Sequence, residues 1–160
     1  MKINIYNLQR QLTVSKTSVN KQVKAILDHE NIVCDELSIC FVDEKTIKRM
    51  HKKFFNDPST TDCISFPIDG PKKAKNYCFL GEVFICTTTA VKYGKENNVD
   101  AYDETTLYMI HSILHLIGYD DISEKDKTNM RKKEKSCMNL IRAQKLGLCS
   151  KHTKYLIGQK

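Results

Sequence analysis

A chain of 160 residues, 41% of them hydrophobic, has enough apolar material for one core and too much for a disordered segment. No apolar run approaches bilayer length, and the opening Met1-Lys2-Ile3-Asn4-Ile5 lacks the apolar stretch of a secretory leader, which points to a cytoplasmic protein with no membrane partner. The net charge of +7 is unevenly placed, because residues 1–120 hold 15 Lys/Arg against 15 Asp/Glu and residues 121–160 hold 11 against 4. Such asymmetry favours an anionic partner, with nucleic acid first among the candidates.

Lys2–Asn7 alternates around Ile3 and Ile5 and predicts a strand. Thr17 or Ser18 can cap a helix to about Glu30, with Val19, Val23, Ile26 and Leu27 on one face. Glu36–Val42 predicts a second strand. Asp43 then caps a helix whose apolar residues are Ile47, Met50 and Phe54. Asn56-Asp57-Pro58-Ser59 is a loop, and Cys63–Phe66 is a short strand stopped by Pro67. Asp69-Gly70-Pro71 predicts a turn, and the basic stretch Lys72–Lys75 a mobile loop.

Phe79–Cys86 is the next predicted strand, and Thr87–Thr89 open a helix to about Asn97. Asp100 or Asp103 caps the following helix, which runs to Ile117 and meets Gly118 where a left-handed C-cap belongs. Ser123 and Asp126 form a capping box for a last helix to about Lys145, with Met130, Cys137, Met138 and Ile141 inward. Residues after about 148 read as a basic tail. These elements predict one α+β domain over 1–160, a small four-stranded mixed sheet packed with about five helices. The seven cysteines are odd in number and form no Cys-x-x-Cys, which predicts reduced, mostly buried thiols.

The chemistry concentrates in His111-Ser-Ile-Leu-His115-Leu-Ile-Gly118-Tyr-Asp-Asp121. Histidines four apart on a helix share one face, so their imidazoles can converge on one ion. Such a pair alone more often reflects packing. Here the helix is otherwise apolar, the two are among only five histidines, and a glycine and two acids follow. Gly118 lets the chain turn back so that position 121 can reach the same ion. The spacing resembles the zincin-like sites of metzincins, which predicts a divalent ion, zinc, held by His111, His115 and Asp121 on a central helix. Zincin peptidases place a Glu directly after the first His as base. Position 112 is Ser, which makes a metallopeptidase the last-ranked reading.

Three motifs in order resemble the YbeY family of metal-dependent endoribonucleases. The first is the His111–Asp121 segment, similar to that family's His-x3-His-x5-His with Gly-Tyr-Asp before the last His. The second is Thr61-Asp62-Cys63-Ile64-Ser65-Phe66-Pro67, similar to Thr-Asp-Val-Leu-Ser-Phe-Pro; the third is Leu80-Gly81-Glu82-Val83-Phe84-Ile85. The resemblance covers roughly residues 1–145. It implies a single-strand-specific endoribonuclease that matures the 3′ end of 16S ribosomal RNA and serves ribosome quality control. Its partners would be ribosomal RNA and the small ribosomal subunit.

Two positions depart from the family pattern. Asp121 stands where the third ligand is usually His, with Asp120 as its competitor, and Phe55 stands where many members carry an Arg. The carboxylate leaves the site one positive charge poorer and the ion a weaker Lewis acid. Lys125, Lys127, Arg131, Lys132 and Lys135, with Lys72–Lys75, would hold the RNA backbone. No residue is assigned as general base: Asp120, Glu82 and the substrate's own 2′-hydroxyl are candidates, but Glu82 reads first as a solvent-facing strand residue and Asp120 as an orienter of a metal-binding His. The alternative function is a non-catalytic, metal-stabilised ribosome-assembly factor that binds RNA or a ribosomal protein.

Overall fold

The computed structural model describes residues 1–70 and 77–158, so the basic stretch Lys72–Lys75 lies outside the described residues. In chain order the elements are β1 (Lys2–Asn7), α1 (Lys16–His29), β2 (Glu36–Val42), α2 (Glu44–Phe55), β3 (Cys63–Pro67), β4 (Phe79–Cys86), α3 (Thr87–Asn97), α4 (Ala101–Leu116), α5 (Glu124–Ala143) and α6 (Ser150–Gly158). The sheet order is β1-β2-β4-β3. β1, β2 and β4 run parallel, and β3 pairs antiparallel with β4. Among the described residues the result is the α+β fold with a four-stranded mixed sheet that the hydrophobic pattern predicts, with six helices rather than about five.

Alternation along the strands divides the core in two. Leu37, Ile39 and Phe41 of β2 and Leu80, Val83 and Ile85 of β4 join the large cluster with α1, α4 and α5. Cys40, Val42, Ile64 and Cys86 face the other way and pack with Ile47 of α2. Glu82 lies between strand neighbours of opposite facing, and its charge acts on Cys40 on the α2 side. α2 thus covers one face of the sheet and most other helices cover the opposite one.

Three caps form where the sequence places them, with Asp43, Asp100 and Ser123 accepting from the first turns of α2, α4 and α5. α1 is capped by Ser15, ahead of the expected Thr17 or Ser18. Phe54, one of the apolar residues of α2, is 53% exposed, because α2 ends one residue later and the ring lies edge-on to Phe66. Six of the seven cysteines are buried. No helix among the described residues is long and apolar enough to cross a membrane.

The segment expected as a basic tail is instead the helix α6, with His152 and Leu156 buried. His152 Nε2–H donates to Asp103 on α4 at 3.0 Å, while its Nδ1 accepts from the Leu148 amide at 3.0 Å. A buried acid on α4 is therefore the partner that draws this short helix onto the domain.

α4 is the central helix. Twelve of its sixteen residues are buried, and Ile110, Ile113 and Leu114 are wholly so. Each such side chain contributes about 2 kcal/mol of burial, which fixes the helix firmly against β3 and β4. Its last turn comes so close to the sheet that a Cβ on Gly81 would lie 2.4 Å from the Phe66 carbonyl oxygen and 2.8 Å from Leu116 Cδ2. Only glycine allows that approach. Beyond Ala101, the partly open positions of α4 are Leu107, His111 and His115, which fall four apart in one line.

Candidate metal centre

That line borders a trough. On one side, a cavity of about 640 Å³ is lined by Glu104, Tyr108, Lys127 and Arg131 among others. On the other, a cavity of about 730 Å³ is lined by His51, Phe55, Ser65, His115, Tyr119 and Asp120 among others. Thr61, Asp62, His111 and Asp121 line both, so the two are halves of one trough that meet at the histidines.

Gly118 sets the third side of the centre. Its φ of +101° is left-handed, and the amides of Gly118 and Tyr119 donate to the carbonyls of His115 at 3.1 Å and Leu114 at 3.0 Å. This double closure is the Schellman motif, and it sends the chain back over the last turn of α4. The Tyr119 carbonyl then faces His115, whose Nδ1–H donates to it at 3.0 Å. Asp120 Oδ1 accepts from the Asp121 amide at 2.7 Å. The expected competitor thereby holds the backbone that presents Asp121.

Each histidine has its Nδ1 engaged, which decides what Nε2 can do. A carbonyl only accepts, so Nδ1 of His115 carries hydrogen and Nε2 of the neutral ring carries a lone pair. His111 donates from Nδ1 to the Glu134 carboxylate on α5 at 2.6 Å. The two Nε2 atoms face each other at 3.0 Å, with the rings edge to face. Asp121 places one carboxylate oxygen 3.8 Å from His111 Nε2 and the other 3.8 Å from His115 Nε2. Two lone pairs at that separation repel unless a proton or a cation lies between them. The donor set, two imidazole nitrogens and a carboxylate with ligand atoms mutually within 4.8 Å, fits one small divalent ion.

The surroundings reinforce positive charge here. The hydrogen bond to Glu134 outweighs burial and raises the pKa of His111, with Asp62 and Asp121 adding to the rise. Asp62 is itself held in place, its Oδ1 accepting from the Cys63 amide at 2.8 Å and the Thr61 hydroxyl at 3.1 Å. Burial raises the Cys63 thiol well above its usual range, so it stays protonated beside the trough.

Neither Glu134 nor Asp62 stands out by local spacing. Both come from other elements, and only the packing of α5 and the start of β3 against α4 brings them to the site. Of the expected RNA-holding cations, Lys127 and Arg131 line the trough, while Lys125 and Lys132 line neither half. Glu82 lines neither half. Ser112 is fully buried and also lines neither half.

Fold and trough together define an α+β protein whose central helix presents two histidines and a following acid on the floor of an open groove. A family model described as Endoribonuclease YbeY matches residues 4–142, and the chain belongs to that family. It is 44% identical over 132 residues to the Endoribonuclease YbeY of Protochlamydia amoebophila (strain UWE25), covering 82% of this chain and 87% of that protein. Its identity to the Endoribonuclease YbeY of Chlamydia pneumoniae is 37% over 145 residues, covering 89% and 92%. The solution structure of TM1509 from Thermotoga maritima superposes with a TM-score of 0.63 at 20% identity, over 89% of this chain and 91% of that one, a likeness of fold.

Proposed function

We propose that the protein is a metal-dependent endoribonuclease that cuts single-stranded RNA in the cytoplasm. Its substrate is ribosomal RNA of the small subunit, at the 3′ end of the 16S species, and its role is maturation and quality control of that subunit. The observation that carries the reading is the pair of Nε2 atoms at 3.0 Å, with the Asp121 carboxylate 3.8 Å from each, at the centre of an open trough. His111, His115 and Asp121 are the proposed ligands of one zinc ion. When bound, the ion supplies Lewis acidity to a phosphoryl oxygen and to water.

The chain's own groups do the rest. Glu134 and the Tyr119 carbonyl hold the two imidazoles so that Nε2 points inward, as acceptors behind metal-binding histidines do. Lys127 and Arg131 stand on the trough wall where an RNA backbone would pass. With Ser112 buried, no zincin-type base is available, which disfavours a peptidase.

Elemental analysis of wild type, His115→Ala and Asp121→Ala tests the ligands. Wild type is expected to hold about one zinc per chain and both variants much less; unchanged metal in Asp121→Ala removes that residue from the set. Cleavage of single-stranded RNA spanning the 16S 3′ end tests the activity. Wild type should cut and His115→Ala should not, and equal cutting by both would refute the enzyme reading. Phe55 in place of the family's Arg favours a second reading, a non-catalytic assembly factor, which would bind the same RNA and leave it intact.

A further inference from the structure

The half of the trough beyond His115 has an unusual wall. Phe55 ends α2 and is 54% exposed, beside an equally exposed Phe54. Leaving large apolar side chains in water forgoes about 25 cal/mol per Å² of burial, yet these rings are held in order. Phe55 lies nearly parallel to Phe66, at 16° and 6.4 Å between centroids. Phe66 is in turn braced edge-on by Phe54 at 4.9 Å and Phe84 at 5.9 Å. His51 stands 5.4 Å from Phe55, and its Nδ1–H donates to the Ser59 carbonyl at 3.1 Å, which locks that ring to the loop after α2. Exposed Lys52 and Lys53 flank the rings. Phe55 and His51 line the same cavity as His111, His115 and Asp121.

We propose that Phe55, backed by Phe66 and flanked by His51, is a stacking platform for an unpaired base of the RNA lying in the trough. The proposal rests on the endoribonuclease reading and gives that site its preference for single strands. Aromatic faces stack bases of any identity, while nearby cations hold the backbone. A base inside an A-form duplex has both faces covered by its neighbours and cannot reach the ring. The braced rings are already ordered, so little freedom is lost on binding. A guanidinium at this position would grip a phosphate by paired hydrogen bonds; a phenyl ring has no donor and can grip only a base. Position 55 of this chain can therefore hold a base but not a phosphate.

The test is a binding cycle on His115→Ala protein, which separates binding from cutting. A single-stranded RNA oligonucleotide and copies with one abasic nucleotide at successive positions are titrated against protein with Phe55 or with Phe55→Ala. Stacking of this kind contributes about fivefold to a hundredfold in affinity. One abasic position should cost that much with Phe55 present and almost nothing with Phe55→Ala, and Phe55→Tyr should restore the difference. In otherwise wild-type protein, Phe55→Ala should raise KM for RNA more than it lowers kcat. An abasic penalty equal in the two backgrounds, or tight binding of a duplex of the same sequence, overturns the platform. Apolar peptides competing with RNA only when Phe55 is present would place a protein side chain there instead. If RNA is never cut but the cycle still shows coupling, the enzyme reading fails and the platform stands.

Discussion

Glu134 decides which nitrogen of His111 faces the trough, from 23 residues further along the chain. Replacing it with Ala frees the ring to rotate and removes the carboxylate that makes Nε2 a better donor. Glu134→Ala should therefore weaken zinc binding by about tenfold to a hundredfold with the fold intact. Competition against a chelating dye measures this, and an affinity equal to wild type would deny Glu134 its positioning role. The contrast with the proposed ligands shows what local sequence can reveal. His111, His115, Gly118 and Asp121 lie within eleven residues, and helix periodicity plus one left-handed turn brings them together. Glu134 sits among Lys132, Lys133 and Lys135, where a lone acid passes for charge balance. Asp62 belongs to the Thr61–Pro67 motif, but its place between both halves of the trough depends on how β3 docks against α4.

At the scale of elements, patterns that repeat within one segment were legible and docking was not. All four strands and the first five helices follow from alternation, amphipathic spacing and side-chain caps. α6 has only nine residues and two buried side chains, His152 and Leu156, four apart, too faint a stripe to separate from a basic tail. Its anchor lies on another element. Burial pushes the Asp103 carboxyl up, but hydrogen bonds from His152 and Arg142 outweigh it and hold the group below the usual carboxylate range. The stability from this lowered pKa is fully present above the unfolded value of about 4 and is lost as pH falls through the folded one. Asp103→Asn should remove that acid-dependent part and cost about 2 kcal/mol at neutral pH. Denaturant melts between pH 3 and 7 check it, at roughly the spacing needed to bracket a carboxylate. Equal slopes of stability against pH in variant and wild type below pH 4, near the carboxylate range, would mean that Asp103 does not hold α6.

At the scale of the whole molecule, the excess positive charge of the last quarter is divided among different tasks. Lys133 is committed to Glu30 at 2.8 Å and sits over the Tyr119 ring, so it braces the turn that presents Asp121. Arg142 serves Asp103 at 2.9 Å. Lys127 and Arg131 line the trough, and Arg131 and Lys135 also line the groove that continues past Glu104. Net charge thus overstates the cations that can meet RNA in this trough. If about three phosphates are neutralised, log affinity for single-stranded RNA should fall against log salt with a slope near −2. Lys127→Ala with Arg131→Ala should flatten that slope by about 1.4, while Lys125→Ala with Lys132→Ala, outside the trough, should change it less. Anisotropy titrations from about 50 to 200 mM salt give both slopes. A larger loss from the Lys125 and Lys132 pair would move the RNA path off the trough and onto the outer face of α5.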